Sequence, residues 1–339
     1  MLGFIMSKVT MKDIADKLHV SINAVSLALN DKEGISHQLR IQILETAVQM
    51  NYPLKKLNSK MTLKNKTLVI MIDIRKKNDT YYYLDILSNI EKEASLFGYR
   101  ILTEYYNHND FIVPECIRDH HVAGVIILSK VSTEMIYSLR LYIEYILCIN
   151  HSIPYMNIDN ISVNDFLGGY LACEYLIKKG CESIGFVGEI ESSKNFKKRF
   201  QGYRQCMLNY FHPKKNDLIC LTKGIENAVL KNDFRYIQKM LLTYWHMPKA
   251  FVCVNDRNAA IVIKALEYNG YKIPEDIKVI GFDNMELSTK MKPQLSTLDI
   301  SRQIIAKKAV RRMHEMIHEC TVPEAIQLSP QIIERESTK

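Results

Sequence analysis

The sequence has few of the features that mark membrane, secreted or disulfide-linked proteins. No apolar run in its 339 residues approaches the roughly 20 residues that a membrane-spanning helix requires. The start, "MLGFIMSKVTMKD", has a short apolar patch with no basic region before it and no small-residue cleavage site, so it does not predict an export signal. Eight cysteines are scattered without a C-x-x-C pair, which favours a reducing compartment over a disulfide framework or a zinc cluster. We therefore expect a cytoplasmic protein with no membrane partner.

Positive charge is concentrated near the N-terminus. Residues 1–66 hold ten Lys or Arg against five Asp or Glu side chains, which is +5 of the formal +8 of the whole chain. A small basic module ahead of a near-neutral body favours a polyanion as the partner of the first part. Charge alone does not distinguish a surface that binds a polyanion from a basic surface that only keeps the protein soluble.

Residues 9–30, "VTMKDIADKLHVSINAVSLALN", have the periodicity of short amphipathic helices. Thr10 and Ser21 are suitable N-caps for two successive helices, and a third is predicted from Ser36 to near Asn51. Two short helices joined by a tight turn and braced by a third describe a helix-turn-helix. The second helix of such a motif enters the DNA major groove, where the amide of Asn23 can read an adenine edge.

The stretch from Val9 to Ser36 also resembles the N-terminal signature of the LacI/GalR family of bacterial transcription regulators. The matching positions are Val9-Thr10, Asp13-Ile14-Ala15, Val20-Ser21, Val25-Ser26, Leu29-Asn30 and Gly34-Ile35-Ser36. The resemblance implies that Thr10, Ser21 and Asn30 contact phosphates. It also implies that Ile22, Asn23 and Leu27 face bases. The expected DNA-binding residues are Thr10, Ser21, Ile22, Asn23, Ala24, Ser26, Leu27, Asn30 and, in the linker, Met61.

The linker departs from the family pattern. The family usually continues with Gly-Tyr-x-Pro-Asn and a hinge helix containing Ala-Arg-x-Leu, whose leucine wedges into the minor groove. Here "NYPLKKLNSKMTLKNKT" keeps Tyr52, brings Pro53 one residue early and places Met61 at the wedge position. A hinge helix with Met61 as the wedge and a plain flexible linker both remain open.

From Lys66 onward, apolar strands such as "TLVIMID" and "AFVCVND" alternate with amphipathic helices. This order predicts parallel sheets covered on both faces, arranged as two α/β lobes with polar residues at the carboxyl ends of their strands. The polar and aromatic candidates are Asp73, Asn150, Arg199, Asn255, Asp283, Tyr82 and Tyr83. They suit a sugar or a nucleobase. Asp and Asn at strand ends are also common as turn and N-cap residues.

"RFQGY", "IPEDIKVIGFDN" and "IQLSPQIIERESTK" resemble the periplasmic-binding-protein-like effector domain of the same family. The implied fold is a small all-α helix-turn-helix domain followed by two α/β lobes of parallel sheets flanked by helices, with a sugar-like effector in the cleft between them. We expect a repressor that binds a palindromic double-stranded DNA operator as a homodimer. The expected parts are a DNA-binding domain (6–52), a linker (53–65), an N-terminal lobe (66–161 plus 297–322) and a C-terminal lobe (162–294 plus 323–339).

"HEMIH", from His314 to His318, matches the H-E-x-x-H pattern of zinc proteases. It lies in a predicted helix with a buried apolar stripe, beside which we expect both histidines to be solvated. Too few residues follow to build a protease site with a third ligand. We therefore expect no enzyme activity, no metal and no cofactor. A zinc protease and a sugar-binding protein without a DNA function are the competing hypotheses.

Overall fold

The computed structural model describes residues 9–30, 32, 34–50, 52, 66–74, 80–151, 153, 155–211, 220–243 and 246–339. The linker at 53–65, with Met61, lies outside them. The chain divides into two compact units, Met1–Ser162 with Gln303–Ile326 and Val163–Arg302 with Gln327–Lys339. Among the described helices, none combines the length and the apolarity needed to cross a bilayer.

The first unit begins with short helices around a small apolar core. Thr10 and Ser21 are N-caps, as their sequence positions predict, because each side chain accepts a hydrogen bond from a backbone N–H three residues later. The helices are α1 (Met11–Leu18), α2 (Ile22–Leu29) and α3 (His37–Gln49). The buried side chains at the centre of this core are Ile14, Ala15, Val25, Ala28, Ile43 and Ala47.

An α/β layer forms the rest of this unit, and its strands follow the order β11-β5-β4-β3-β1-β2. Strand β1 pairs in parallel with β2 and β3, and the parallel pairing continues through β4 to β5. The inner strands β1, β3 and β4 are buried almost continuously, which confirms the predicted parallel sheet covered on both faces. The strands are β1 (Thr67–Asp73), β2 (Arg100–Tyr106), β3 (Gly124–Ile127), β4 (Ile146–Ile149), β5 (Asp159–Val163) and β11 (Ala325–Leu328). The helices are α4 (Thr80–Leu96), α5 (Glu115–Arg118), α6 (Thr133–Arg140) and α13 (Arg302–His318).

Helix α13 carries the HEMIH motif and buries the predicted stripe of Ala306, Val310, Met313 and Ile317. His318 is exposed, as expected, whereas His314 is half-buried. His314 Nδ1 and His318 Nε2 lie 3.1 and 3.2 Å from the Tyr99 hydroxyl, and the His314 ring packs on Phe97. Within the described part of the chain, no group of three or more His, Cys, Asp or Glu side chains is placed to hold a metal ion.

The second unit is built on a parallel sheet of order β7-β6-β8-β9. A short antiparallel pair, β10 with β12, joins the segment before α13 to the last residues of the chain. The strands are β6 (Ile184–Val187), β7 (Cys220–Leu221), β8 (Ala250–Cys253), β9 (Lys278–Ile280), β10 (Thr297–Asp299) and β12 (Gln331–Ile333). The helices are α7 (Asp165–Lys178), α8 (Lys194–Phe211), α9 (Ile225–Leu230), α10 (Phe234–Leu241), α11 (Asp256–Tyr268) and α12 (Leu287–Lys290).

Helices α7 and α8 approach each other unusually closely, at two glycines. A Cβ atom on Gly169 would lie 1.9 Å from the Arg199 carbonyl oxygen, and one on Gly202 would lie 1.9 Å from that of Phe166. Only glycine permits backbones this close. Because Asp165 is one turn before Gly169, the contact brings its carboxylate to Arg199 on the facing helix.

We predict that Gly202→Ala lowers the free energy of unfolding by at least about 2 kcal/mol, because the added methyl group meets backbone that cannot move aside. Urea denaturation followed by circular dichroism measures the loss. Gln201→Ala, on the exposed face of the same helix, is the matched control and should change stability by less than about 0.5 kcal/mol. Equal stability of the two variants would contradict the close helix contact.

Candidate effector site

The second unit holds a buried guanidinium, Arg199, between two carboxylates. Its Nε donates to Asp165 Oδ1 at 2.8 Å and its Nη2 donates to Asp283 Oδ1 at 3.2 Å. Its Nη1 donates to the Val254 carbonyl oxygen, and the guanidinium lies 3.5 Å from the ring centre of Phe282. The Arg199 side chain is 7% exposed. A charge buried this far needs close opposite charges to be stable, and the two carboxylates supply them.

Asp283 is held at the end of β9 by backbone and charge together. Asp283 has φ +101° and Asn284 has φ +48°, conformations that L-residues seldom adopt. Arg302 donates to the carbonyl oxygens of both residues. Burial raises the pKa of the Asp283 carboxyl, and Arg199 and Arg302 oppose that rise. Strained backbone of this kind clusters at ligand sites, where surrounding contacts hold it in place.

Asn255 follows β8 and caps the next helix, which is one of the two roles that the sequence leaves open for it. Its Oδ1 accepts from the backbone N–H of Asn258 at 2.8 Å, which makes Asn255 the N-cap of α11. The Asn258 amide Nδ2 donates to Asn255 Oδ1 at 2.9 Å and to Glu226 Oε1 at 3.1 Å. The Glu226 N–H in turn donates to Glu189 Oε2 at 3.2 Å. A hydrogen-bonded chain therefore runs along this edge of the sheet.

Asp165, Glu189 and Glu226 were not among the candidates from the sequence. A usable signal for Asp165 is its place in the first turn of α7, one turn before Gly169. No local pattern marks Glu189 or Glu226, which come together only because β6 and β7 are neighbours in the sheet.

The candidates of the first unit lie at the carboxyl edge of its own sheet. Asp73 ends β1 and is buried, and Asn150 directly follows β4 with φ +56°. Ser129, after the intervening strand β3, donates to the Tyr83 hydroxyl at 3.4 Å. Parallel strands bring these ends to one edge. Tyr82 belongs to α4, but its side chain lies outside the described residues.

The residues that are expected to face DNA differ in how far their side chains are exposed. Ser21, Ile22, Asn23 and Asn30 are exposed, whereas Ala24, Ser26 and Leu27 are half-buried. The Asn30 amide donates to the Ser26 carbonyl oxygen at 2.7 Å, and the Ser21 hydroxyl caps α2. Ile22 and Asn23, at the N-terminal end of α2, are therefore the side chains most open to an external partner.

A parallel α/β architecture with polar groups at its strand ends defines the class of periplasmic-binding-protein-like ligand-binding domains. Residues 173–338 match the family model of the periplasmic binding protein-like domain. The chain is 28% identical to the probable HTH-type transcriptional repressor ExuR of Bacillus subtilis, over 98% of each protein.

Two solved structures share the fold. The transcriptional regulator CelR in complex with cellobiose has TM-score 0.66 at 17% identity and covers 97% of this chain and all of its own. The lac repressor dimer bound to operator and the anti-inducer ONPF has TM-score 0.65 at 18% identity, covering 98% of this chain and 99% of its own. Together with the sequence match, these likenesses confirm the resemblance drawn from the residues. Over almost its whole length, the chain is therefore similar to proteins named HTH-type transcriptional repressors.

The buried Asp256 carboxyl should make the stability of the second unit depend on pH. It is fully buried and accepts hydrogen bonds from Thr297 and the Met285 N–H, and burial raises its pKa to about 7. Because the folded state holds the proton more tightly than the unfolded state, stability is greatest below pH 4 for this group and falls as pH rises toward 7.

We predict that wild-type protein loses stability relative to Asp256→Asn between about pH 4 and 7, on the order of 1 kcal/mol per pH unit, and that the difference is constant above that range. Urea titrations at several pH values measure it. Glu275→Gln, on an exposed turn, should follow wild type throughout. A difference independent of pH would show that Asp256 does not titrate there.

Proposed function

We propose that the protein is a sequence-specific transcriptional repressor that binds a palindromic DNA operator as a homodimer and is controlled by a sugar-like effector. The buried Arg199, with its two carboxylate partners at the carboxyl edge of the second unit's sheet, is the observation that carries the effector half. This arrangement presents charged and amide groups where open α/β sheets bind ligands. The cellobiose complex of a regulator with the same fold supports a sugar.

Residues 6–52 are the proposed DNA-binding domain, of the helix-turn-helix type. Helices α1 and α2 are joined by a turn around His19, and α3 packs against both through the shared apolar core. That order suits α2 as the recognition helix, with Ile22 and Asn23 toward base edges and Thr10, Ser21 and Asn30 toward phosphates. Two copies are required, because one short helix reads too few base pairs for specificity.

The linker 53–65 is proposed to connect this domain to the effector-binding part, with Met61 as the candidate minor-groove wedge. Asn150, Tyr82, Tyr83 and Asp73 are proposed as the effector contacts of the first unit. No catalytic role is assigned to HEMIH, since its histidines hydrogen-bond a tyrosine. A sugar-binding protein without a DNA function is a weaker proposal, because it leaves the exposed face of α2 unexplained.

We predict that Asn23→Ala weakens binding to the selected operator about tenfold, because it removes a two-bond contact to a base. Binding to random DNA should fall much less. The operator is first obtained by selection from random oligonucleotides, and affinities are measured by fluorescence anisotropy at fixed salt. Gln42→Ala, exposed on α3, is the control for a generic change. Equal losses on both kinds of DNA would contradict base readout by Asn23.

We predict that Asp283→Asn abolishes the ligand-induced rise in Tm and the ligand's effect on operator affinity, while leaving ligand-free operator binding within about twofold. The substitution keeps the shape of the side chain and leaves Arg199 paired with Asp165. Glu267→Gln, exposed on α11 of the same unit, should respond like wild type. A ligand shift preserved in Asp283→Asn would remove Asp283 from the site.

A further inference from the structure

Three segments of chain connect the two units. The units divide after Ser162, after Arg302 and after Ile326. The first division lies in β5, the second directly after the first residue of α13 and the third in β11. A signal that travels along the backbone from the second unit therefore enters the first unit through β5, α13 or β11.

One buried arginine of the first unit holds these three segments together. Arg312 belongs to α13, and its Nε donates to Asp159 Oδ1, on β5, at 2.7 Å. In the stretch that leads into β11, its Nη2 donates to the Val322 carbonyl oxygen and its Nη1 lies 3.2 Å from Glu324 Oε1. The Glu324 N–H also donates to Asp159 Oδ1, at 3.1 Å. We call these four residues the Arg312 cluster.

The centre of the Arg312 cluster is a buried ion pair. The side chains of Arg312 and Asp159 are 5% and 6% exposed, so each charge depends on the other for its stability. The carboxylates of Glu324 and of Glu315, on the same helix, lie farther out and are 51% and 46% exposed. A guanidinium presents several N–H donors in one rigid plane, so its partners are held at fixed positions relative to one another. The ammonium group of a lysine is a compact point charge and cannot hold all of them.

Helix α13 also connects the Arg312 cluster with the candidate effector site. Arg302, its first residue, donates to the carbonyl oxygens of Asp283 and Asn284. Arg312 is ten residues further along the same helix, about 15 Å away along its axis. Because a continuous helix is a rigid element, a shift of its first turn also shifts Arg312.

We propose that Arg312 couples effector binding to operator binding by fixing β5, α13 and the stretch before β11 to one another. The inference rests on the proposed function, because it requires an effector at Asp283 and an operator bound by the first unit. Arg302 passes a change at Asp283 to α13, and the Arg312 cluster passes it to the other two segments. Salt-bridge networks and rigid helices carry coupling of this kind. Arg312 is assigned no contact with either ligand and is therefore a positioning residue.

The test compares the same conservative change at two neighbouring positions of α13. Arg312→Lys keeps a cation beside Asp159 but cannot also hold Val322 and Glu324. Arg311→Lys, on the exposed face of the helix, is the matched control. Glucose, galactose, ribose and cellobiose are screened for a rise in the Tm of the wild-type protein, and each sugar that binds is used further.

The quantity compared is the coupling factor, which is the ratio of the operator Kd with saturating sugar to the operator Kd without it. Fluorescence anisotropy measures both. Arg312→Lys should bring this factor at least about threefold closer to one, whereas Arg311→Lys should keep the wild-type value. For Arg312→Lys, operator affinity without sugar and sugar affinity without operator should each stay within about threefold of wild type. A purely structural role would lower the Tm and leave the coupling factor unchanged.

Glu324→Gln is a second variant that should keep the fold, because the ion pair between Arg312 and Asp159 remains. It removes the charge that joins Arg312 to the stretch before β11. The coupling factor should move about twofold toward one, since a half-exposed ion pair is weak. Glu319→Gln, exposed just beyond the end of α13, is its control and should match wild type.

Amide exchange in sugar-free protein tests the shared anchoring without a ligand. The N–H of Asn160 donates to the Glu324 carbonyl oxygen at 2.9 Å, and the N–H of Glu324 donates to Asp159. In Arg312→Lys, exchange followed by mass spectrometry should be at least about threefold faster in both 159–163 and 321–326. In Arg311→Lys it should be unchanged.

The outcomes separate this inference from the proposed function. An unchanged coupling factor in both Arg312→Lys and Glu324→Gln would overturn the role of Arg312 and leave the proposed repressor in place. Exchange in either segment that is as slow as in wild type would contradict the anchoring itself. A wild-type protein whose operator affinity is changed by none of the sugars would instead count against the proposed function, and the inference would fall with it.

Discussion

The buried guanidinium of Arg199 is the constraint on which the second unit depends. Its charge is stable inside the protein only because Asp165 and Asp283 both reach it. Asp165 reaches it because glycines let α7 and α8 approach at backbone contact distance. Asp283 reaches it from a strained position after β9. Helix packing, strand order and backbone strain therefore converge on one ion-paired group, which is the proposed centre of effector recognition.

The ion pairs and the Asn255 cap hold the polar groups in place before any ligand arrives, so little ordering is needed on binding. At the other end of the chain, Ile22 and Asn23 stand exposed on a capped helix. A ligand acts on DNA binding only through a difference in its affinity for two states of the protein.

Local patterns in the sequence predict the individual helices and strands. They do not predict which distant side chains come into contact. The caps Thr10 and Ser21 follow from residue type and spacing, and the buried run Thr67–Asp73 follows from continuous apolarity. The ion pair between Asp165 and Arg199 joins residues 34 positions apart, and no periodicity encodes it. The contact between Tyr99 and His314 joins residues that are even further apart in the sequence. Such contacts depend on which strands and helices become neighbours, which is a property of the whole fold.

If effector binding and operator binding are coupled in one molecule, as proposed, their effects on each other must be reciprocal. Linkage requires that the effector change operator affinity by the same factor by which the operator changes effector affinity. Both factors are measured by calorimetry and anisotropy on one preparation, with the selected operator and a sugar found to bind the protein. We expect equal factors that differ clearly from one. An effector that binds with the same affinity whether or not the operator is present would contradict it.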